Sequence, residues 1–340
     1  MIETLGERAL IRIIAKELEK DPYELLGLGM DDAVAKTIEK RQLKDFELIV
    51  AHTDMLTEST DMAPGMSYRQ LARKAVVANL SDLASKGASP LGLLFAWGLP
   101  RSFKVDDVIE LARGLNDGAL QYGTYILGGD LGEAKELTLA GFAIGLSRRD
   151  ELMSRSAAKP GQILALTGLM GWTALGFKIL FEGLGAPINL KDRALKSLYE
   201  PIARVREGQA LAKIGGSRIG CMDISDGLAI SLHQLASSSN VGAIITRIPM
   251  DETLRAFALD QGLDPLSLCL YEGGEEYELL VSLPEEVFEE ARKSLASLGC
   301  ILHEIGYTTA ERCIMLKEEG REEEIKPLGW EHLRNKPQIR

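Results

Sequence analysis

Short apolar runs alternate with segments of helical period along almost the whole chain, a pattern that points to a mixed α/β (α+β) architecture and away from an all-β one. Runs over 46–53, 91–99, 125–127 and 137–147 read as strands, and 3.6-residue periods over 68–86 and 105–122 read as helices. The polar stretch SRRDELMSR over 147–155 interrupts the alternation, which divides the chain into an N-terminal domain over 1–148 and a C-terminal domain over 149–340. The alternation then resumes with strands over 163–167, 219–223, 243–246 and 277–283, helices beginning at Trp172 and Leu228, and a helix opened by Pro284. The charged stretch 317–326 reads as a hairpin.

One segment needs a membrane test. Residues 163–181 carry a single charge, Lys178, but Gly168, Gly171 and Gly176 break the run into a buried strand, a glycine turn and a core helix. The first twenty residues mix charges into a helical pattern, Leu10, Ile11, Ile14 and Leu18, so no signal peptide is read there and a cytoplasmic location is expected. Cys221, Cys269, Cys300 and Cys313 lie far apart with no CxxC pair, as expected of free thiols. Across 340 residues, 39 basic side chains face 50 acidic ones, a net charge of −11. That balance excludes a protein that grips nucleic acid or membranes by raw electrostatics. If such a chain binds phosphates, metal ions must supply much of the positive charge.

The acids occupy unusual places. Asp31 and Asp32 in GLGMDDAVA, Asp54 in LIVAHTDML, Asp82 in ANLSDLA, Asp130 in YILGGDLG, and Asp223 and Asp226 in GCMDISDGLA sit at ends of apolar runs or in glycine turns. A carboxylate in an apolar setting needs a donor or a cation, and several such oxygens suit magnesium carrying a nucleotide's phosphates. Each acid alone also reads as a cap or turn residue, Asp82 and Asp226 above all, because Ser-Asp precedes a helical run at both. The glycines before Asp130 and Glu275, and Gly168 with Gly171, permit close backbone approach to a ligand or an ordinary turn. No Walker A loop, Rossmann fingerprint or nucleophile elbow occurs. Arg155 stands where a guanidinium reaches phosphate oxygens or simply faces solvent. His52 reads as a strand-end residue and His233 as a helix residue without a catalytic role.

Taken in order, DDAV at 31–34, TDML at 53–56, NLSDLASKGASP at 79–90, LGGD at 127–130, RSAAKPG at 155–161, DISDGLA at 223–229 and GGEEYELL at 273–280 resemble the thiamine-monophosphate kinase family, of the superfamily named for aminoimidazole ribonucleotide synthetase. The resemblance implies two domains, with the N-terminal ones pairing in a homodimer through a β-barrel, and ATP and Mg2+ held in the cleft between domains. The implied reaction is direct in-line transfer of the γ-phosphoryl group of ATP to thiamine monophosphate. It implies Asp31, Thr53, Asp54, Asp82, Asp130, Asp223 and Asp226 as metal ligands, with Asp54 and Asp226 central to catalysis. It further implies Gly129, Asp130, Arg155 and Ser225 as nucleotide contacts, and Glu275 and Trp330 as acceptor contacts.

The chain departs from the family pattern at Met30, Glu276 and Leu333, and most clearly over 56–66, LTESTDMAPGM, where many members carry EGVHF with a substrate-contacting His and Asp61 falls instead. Asp61 is therefore the expected acceptor contact there. The alternatives are another ATP-using member of the superfamily with a different acceptor, or a nucleotide-binding relative without turnover. The absence of DGVGTK, of an N-terminal reactive Cys and of DPTRGG disfavours the sister enzymes.

Overall fold

The computed structural model describes residues 7–26, 35–36, 46–318 and 320–331. Asp31, Asp32, Met30 and Leu333 lie outside them. The chain forms two compact units, one of Met1–Leu83 with Ala88–Arg149, the other of Ala84–Gly87 with Asp150–Arg340.

The first unit opens with a helix, Glu7–Glu17, and a small ribbon of β1 (Glu24–Leu26) and β2 (Ala35–Lys36). Its main sheet holds β3 (Leu48–Thr57), β4 (Ser89–Leu99), β5 (Ile126–Glu133) and β6 (Thr138–Ser147) in the order β3-β6-β4-β5. β4 and β5 are parallel and are joined by the crossover helix Val105–Gln121. That helix buries Val108, Leu111, Ala112, Leu115 and Ala119, spaced three and four apart, and places Asp106 and Asp107 in its first turn, where the helix dipole favours acids. Gly114 lets it approach the helix Tyr68–Ser85, since a Cβ there would lie 2.1 Å from the Arg69 carbonyl oxygen. The helix Tyr68–Ser85 is buried along most of its length, with Leu71, Ala75, Val76, Leu80 and Leu83 inaccessible.

Among the described residues this sheet is open rather than a closed barrel, for β3 and β5 are its unpaired edges. Strand alternation gives it two unlike faces. His52, Asp54 and Leu56 share one face with Leu139, Ala143 and Phe95, whereas Ile49, Ala51, Thr53 and Met55 share the other with Phe142, Ile144, Leu94 and Ala96. On that second face Ile49 is 75%, Met55 57% and Phe142 37% exposed.

The second unit is built on a seven-stranded sheet of β7 (Ile163–Leu166), β8 (Gly220–Asp223), β9 (Gly242–Ile245), β10 (Leu279–Leu283), β11 (His303–Thr309), β12 (Ile314–Glu318) and β13 (Arg321–Glu324). The order is β13-β12-β9-β11-β7-β10-β8, antiparallel throughout except for β9 with β12. Helices Trp172–Phe181, Leu228–Ser239 and Pro265–Tyr271 pack Leu175, Leu228, Leu232, Leu266 and Leu270 into one apolar core with Leu164, Leu280 and Ile305. The expected hairpin over 317–326 is the β12–β13 pair.

Two expectations are corrected. Ser81-Asp82 does not open a helix but lies within Tyr68–Ser85, so Asp82 is not an N-cap and its likeness to Ser225-Asp226 is one of sequence only. Strand β5 continues through Gly128, Gly129 and Asp130, which were expected in a turn: a Cβ on Gly129 would lie 1.9 Å from the Phe95 carbonyl oxygen, so this glycine is required by the neighbouring strand. No described helix is long and apolar enough to cross a membrane, which agrees with the reading of 163–181 as strand, turn and helix. All four cysteines are free.

Candidate functional site

In the first unit the expected residues are set by β3 and its neighbours. Asp54 lies on the helix-covered face, where its backbone N–H donates to Asn79 Oδ1 at 3.1 Å and its Oδ1 accepts from the Met55 N–H at 2.8 Å. One position away on the same face, His52 Nε2 stands 3.0 Å from Asp82 Oδ2, so Asp82 faces β3 from within the helix. Gly141 makes room for Asn79, since a Cβ there would lie 2.2 Å from its Nδ2. Thr53 points to the open face, and its hydroxyl donates to the Gly141 carbonyl at 2.8 Å. Asp130, paired across β4 with Ala96, is exposed on that open face as well. The structure thus brings Asp54 and Asp82 to one side of the sheet and Thr53 and Asp130 to the other.

Asp61 ends the helical turn Glu58–Asp61 that follows β3. Its Oδ2 accepts from the Thr57 N–H at 2.8 Å and from the Thr60 hydroxyl at 2.5 Å, so this oxygen caps its own turn. The turn is braced by Ser59 N–H to Glu136 Oε2 at 2.9 Å, by the Tyr68 hydroxyl to Glu58 at 2.9 Å, and by the buried Lys74, whose Nζ donates to the Asp61 carbonyl at 3.0 Å. Burial, with Glu58 as acceptor, pushes the Tyr68 hydroxyl up to about 12.

In the second unit three distant segments meet at the turn after β8. Asp223 ends that strand and is 7% exposed. The Ser225 carbonyl accepts from the Glu275 N–H at 2.6 Å, and the Asp226 carbonyl accepts from the Trp330 N–H at 2.9 Å. Gly227 follows at φ 106°, a conformation strained for any side chain, and a Cβ there would sit tightly, 3.0 Å from the Gly273 carbonyl oxygen. Arg155 is exposed and donates to Gln234 Oε1 at 3.2 Å, farther along the helix Leu228–Ser239. Six residues separate Gln234 from Leu228, about 9 Å of helix.

Around 276–278 the structure adds a cluster of side-chain contacts that no motif pointed to. Glu278 accepts from Arg204 Nε at 2.7 Å, from Arg204 Nη2 at 2.5 Å and from the Thr167 hydroxyl at 2.6 Å. Gly168 leaves it space, since a Cβ there would lie 2.3 Å from the carboxyl group. Glu276 accepts from the Thr173 hydroxyl at 2.8 Å through Oε1, while Oε2 is buried without a hydrogen-bond partner among the described residues. Burial pushes the Glu276 carboxyl up to about 7, against the Thr173 hydrogen bond and with repulsion from Glu275 and Glu278 adding to the rise. Glu278 stood inside the GGEEYELL motif and was legible as a candidate, whereas nothing near Arg204 marked its partner 74 residues away. His233, read as an ordinary helix residue, has its Nε2 2.7 Å from the Ile325 carbonyl.

The donors are hard oxygens, as magnesium requires, and Asp54, Asp82 and Asp226 are each partly exposed. Among the described residues, however, no group of three or more His, Cys, Asp or Glu side chains stands ready to hold a metal. Such a donor set fits magnesium that keeps water and phosphate oxygens in its shell rather than an all-protein cage.

Fold and sequence together define an AIR synthase related protein, with residues 29–147 matching the N-terminal domain of that family and 159–316 its C-terminal domain. A thiamine-monophosphate kinase of Pyrococcus horikoshii is 34% identical over 332 residues, 97% of each chain. The solved structure of the thiamine-monophosphate kinase of Stenotrophomonas maltophilia K279a is 25% identical at a TM-score of 0.76, covering 93% of this chain and 96% of that one. The chain belongs to the thiamine-monophosphate kinase family. The fold alone is shared more widely. It is found in AaThiL complexed with AMPPCP and TMP (21% identity, TM-score 0.73, 98% and 99% covered) and in the hydrogenase maturation protein HypE (21%, 0.75, 96% and 99%).

Proposed function

We propose that the chain transfers the γ-phosphoryl group of ATP to thiamine monophosphate, giving thiamine diphosphate and ADP, as a homodimer in the cytoplasm. Family membership supports the reaction. The observation that carries the site is the meeting of Asp226, Ser225, Glu275 and Trp330 at one turn through the backbone bonds of Glu275 and Trp330. It brings a residue pair assigned to the nucleotide and metal beside two assigned to the acceptor.

In this reading Thr53, Asp54, Asp82, Asp130, Asp223 and Asp226 offer oxygens to magnesium, with Asp31 outside the described residues. When bound, magnesium supplies the positive charge that an acidic chain lacks and screens the two phosphate groups from each other. Ser225 and Arg155 orient the nucleotide, Gly129 keeps β5 close to β4 beneath Asp130, and Glu275, Trp330 and Asp61 contact the acceptor. Trp330 suits a cationic aromatic ring. The acceptor oxygen is already anionic near neutral pH, so no side chain need act as a strong base, and the protein acts by holding both phosphates in line. Dimer formation is supported by the uncovered sheet face of Ile49, Met55 and Phe142, an apolar surface of the kind that a second copy covers.

Product analysis with Mg-ATP tests this reading, with thiamine monophosphate, free thiamine and a ribonucleotide as separate acceptors. Thiamine diphosphate is expected from the monophosphate alone. Product from another acceptor, or ATP binding without product, contradicts it.

A further inference from the structure

The segment 273–278 holds an uncommon backbone. Glu275 and Tyr277, neither a glycine, lie at φ 62° and 53°, in the left-handed region that side chains rarely adopt. Such conformations persist only where the surroundings over-determine them. Above, the Glu275 and Tyr277 N–H groups donate to the carbonyls of Ser225 and Ile224 at 2.6 and 2.9 Å. Below, Glu278 is gripped by both prongs of Arg204 and by Thr167, and Leu279 N–H returns to the Thr167 hydroxyl at 2.8 Å. The pair is largely out of solvent, with side-chain exposures of 22% for Arg204 and 12% for Glu278, so the two parallel charge-assisted bonds fix direction as well as distance. Arg204 precedes the helix Val205–Gly215, far from Glu275 in sequence, and forms ion pairs with Glu278 and, at 3.5 Å, with Glu207.

We propose that Arg204 is a positioning residue for the acceptor: its two-pronged grip on Glu278 anchors the left-handed backbone at 275–277 and thereby sets where Glu275 stands beside Ser225 and Asp226. The inference rests on the reading above that Glu275 contacts the acceptor. A lysine at 204 keeps the charge but has no fork, so it holds Glu278 at one point and leaves the segment free to turn.

The test is steady-state kinetics of Arg204→Lys, Glu275→Ala and their combination, together with hydrogen exchange at the Glu275 and Tyr277 amides. Arg204→Lys is expected to raise the KM for thiamine monophosphate about tenfold while leaving the KM for ATP within about twofold, and to speed exchange at both amides by a similar factor. The double variant is expected to be no worse than Glu275→Ala, because Arg204 acts through that residue. Should Arg204→Lys fail to fold, Glu278→Gln keeps the volume, weakens the grip and is expected to give the same pattern. An acceptor KM unchanged in Arg204→Lys, or raised equally with that for ATP, overturns the inference and leaves a structural ion pair. An acceptor KM unchanged in Glu275→Ala overturns the acceptor role of Glu275, and the inference with it. A raised value there with none in Arg204→Lys sinks the inference alone.

Discussion

In the four-stranded sheet the candidate ligands on β3 are placed by strand alternation, so neighbours in sequence, Thr53 and Asp54, face opposite sides and their partners come from the same small unit. At the turn after β8 the placement is by backbone hydrogen bonds between segments 50 to 104 residues apart, Ser225 with Glu275 and Asp226 with Trp330. The first arrangement fixes direction locally through the pleat of the sheet. The second depends on a left-handed loop and on a buried ion pair behind it, so its geometry is cooperative. Damage to a strand position should therefore act on one ligand, whereas damage behind the turn should move several contacts together.

The largest effect is expected from Asp54→Asn. If this carboxylate holds magnesium, turnover should fall by about a hundredfold or more with the fold intact, as read by product formation and by circular dichroism. Thr53→Ala, on the opposite face, should show a smaller loss, and equal losses would erase the distinction between the two faces. Next, Gly129→Ala puts a methyl group into the Phe95 backbone and should destabilise the first unit by about 2 kcal/mol, measured by denaturant unfolding. An unchanged midpoint would show that β5 can move away from β4 freely.

Phe142→Glu places a charge on the uncovered apolar face and should weaken self-association at least about tenfold in sedimentation experiments. The smallest effect concerns pH. Glu276 is held at about 7, above the ordinary 4.5, so the folded chain binds more protons than the unfolded one between those values. Stability from this group is thus present below about 4.5 and is lost as pH rises towards 7. Glu276→Gln should remove that loss, raising the melting temperature relative to the parent chain at pH 8 by a few degrees and leaving it near parity at pH 5. A constant difference across the range would assign the effect to packing instead.

Much of the fold was legible because hydrophobic period is a local signal. Strands β3, β4, β6 and β10 and the helices at Tyr68, Val105, Trp172 and Leu228 stand close to where alternation and helical spacing put them. Local pattern and structure part where tertiary contacts override local preference. Ser81-Asp82 has the composition of a helix start, yet Leu71, Ala75, Val76, Leu80 and Leu83 bury one helix that runs through it, and Asp82 is turned towards His52. Gly128-Gly129-Asp130 has the composition of a turn, yet the close approach of Phe95 demands glycine inside a strand. Within the candidate site, motif order located the acids and the 273–280 segment. The clamp of Arg204 on Glu278 was invisible, because an ion pair between distant residues leaves no periodic trace.

If the aspartate turn after β8 serves phosphoryl transfer to thiamine monophosphate, the label of γ-32P-ATP separates the parent chain from Asp226→Asn. In the parent chain, label is expected in thiamine diphosphate and none on the protein. In Asp226→Asn, transfer at least about a hundredfold slower is expected. Label retained on the protein, or transfer by Asp226→Asn at a rate near that of the parent, would rule that role out.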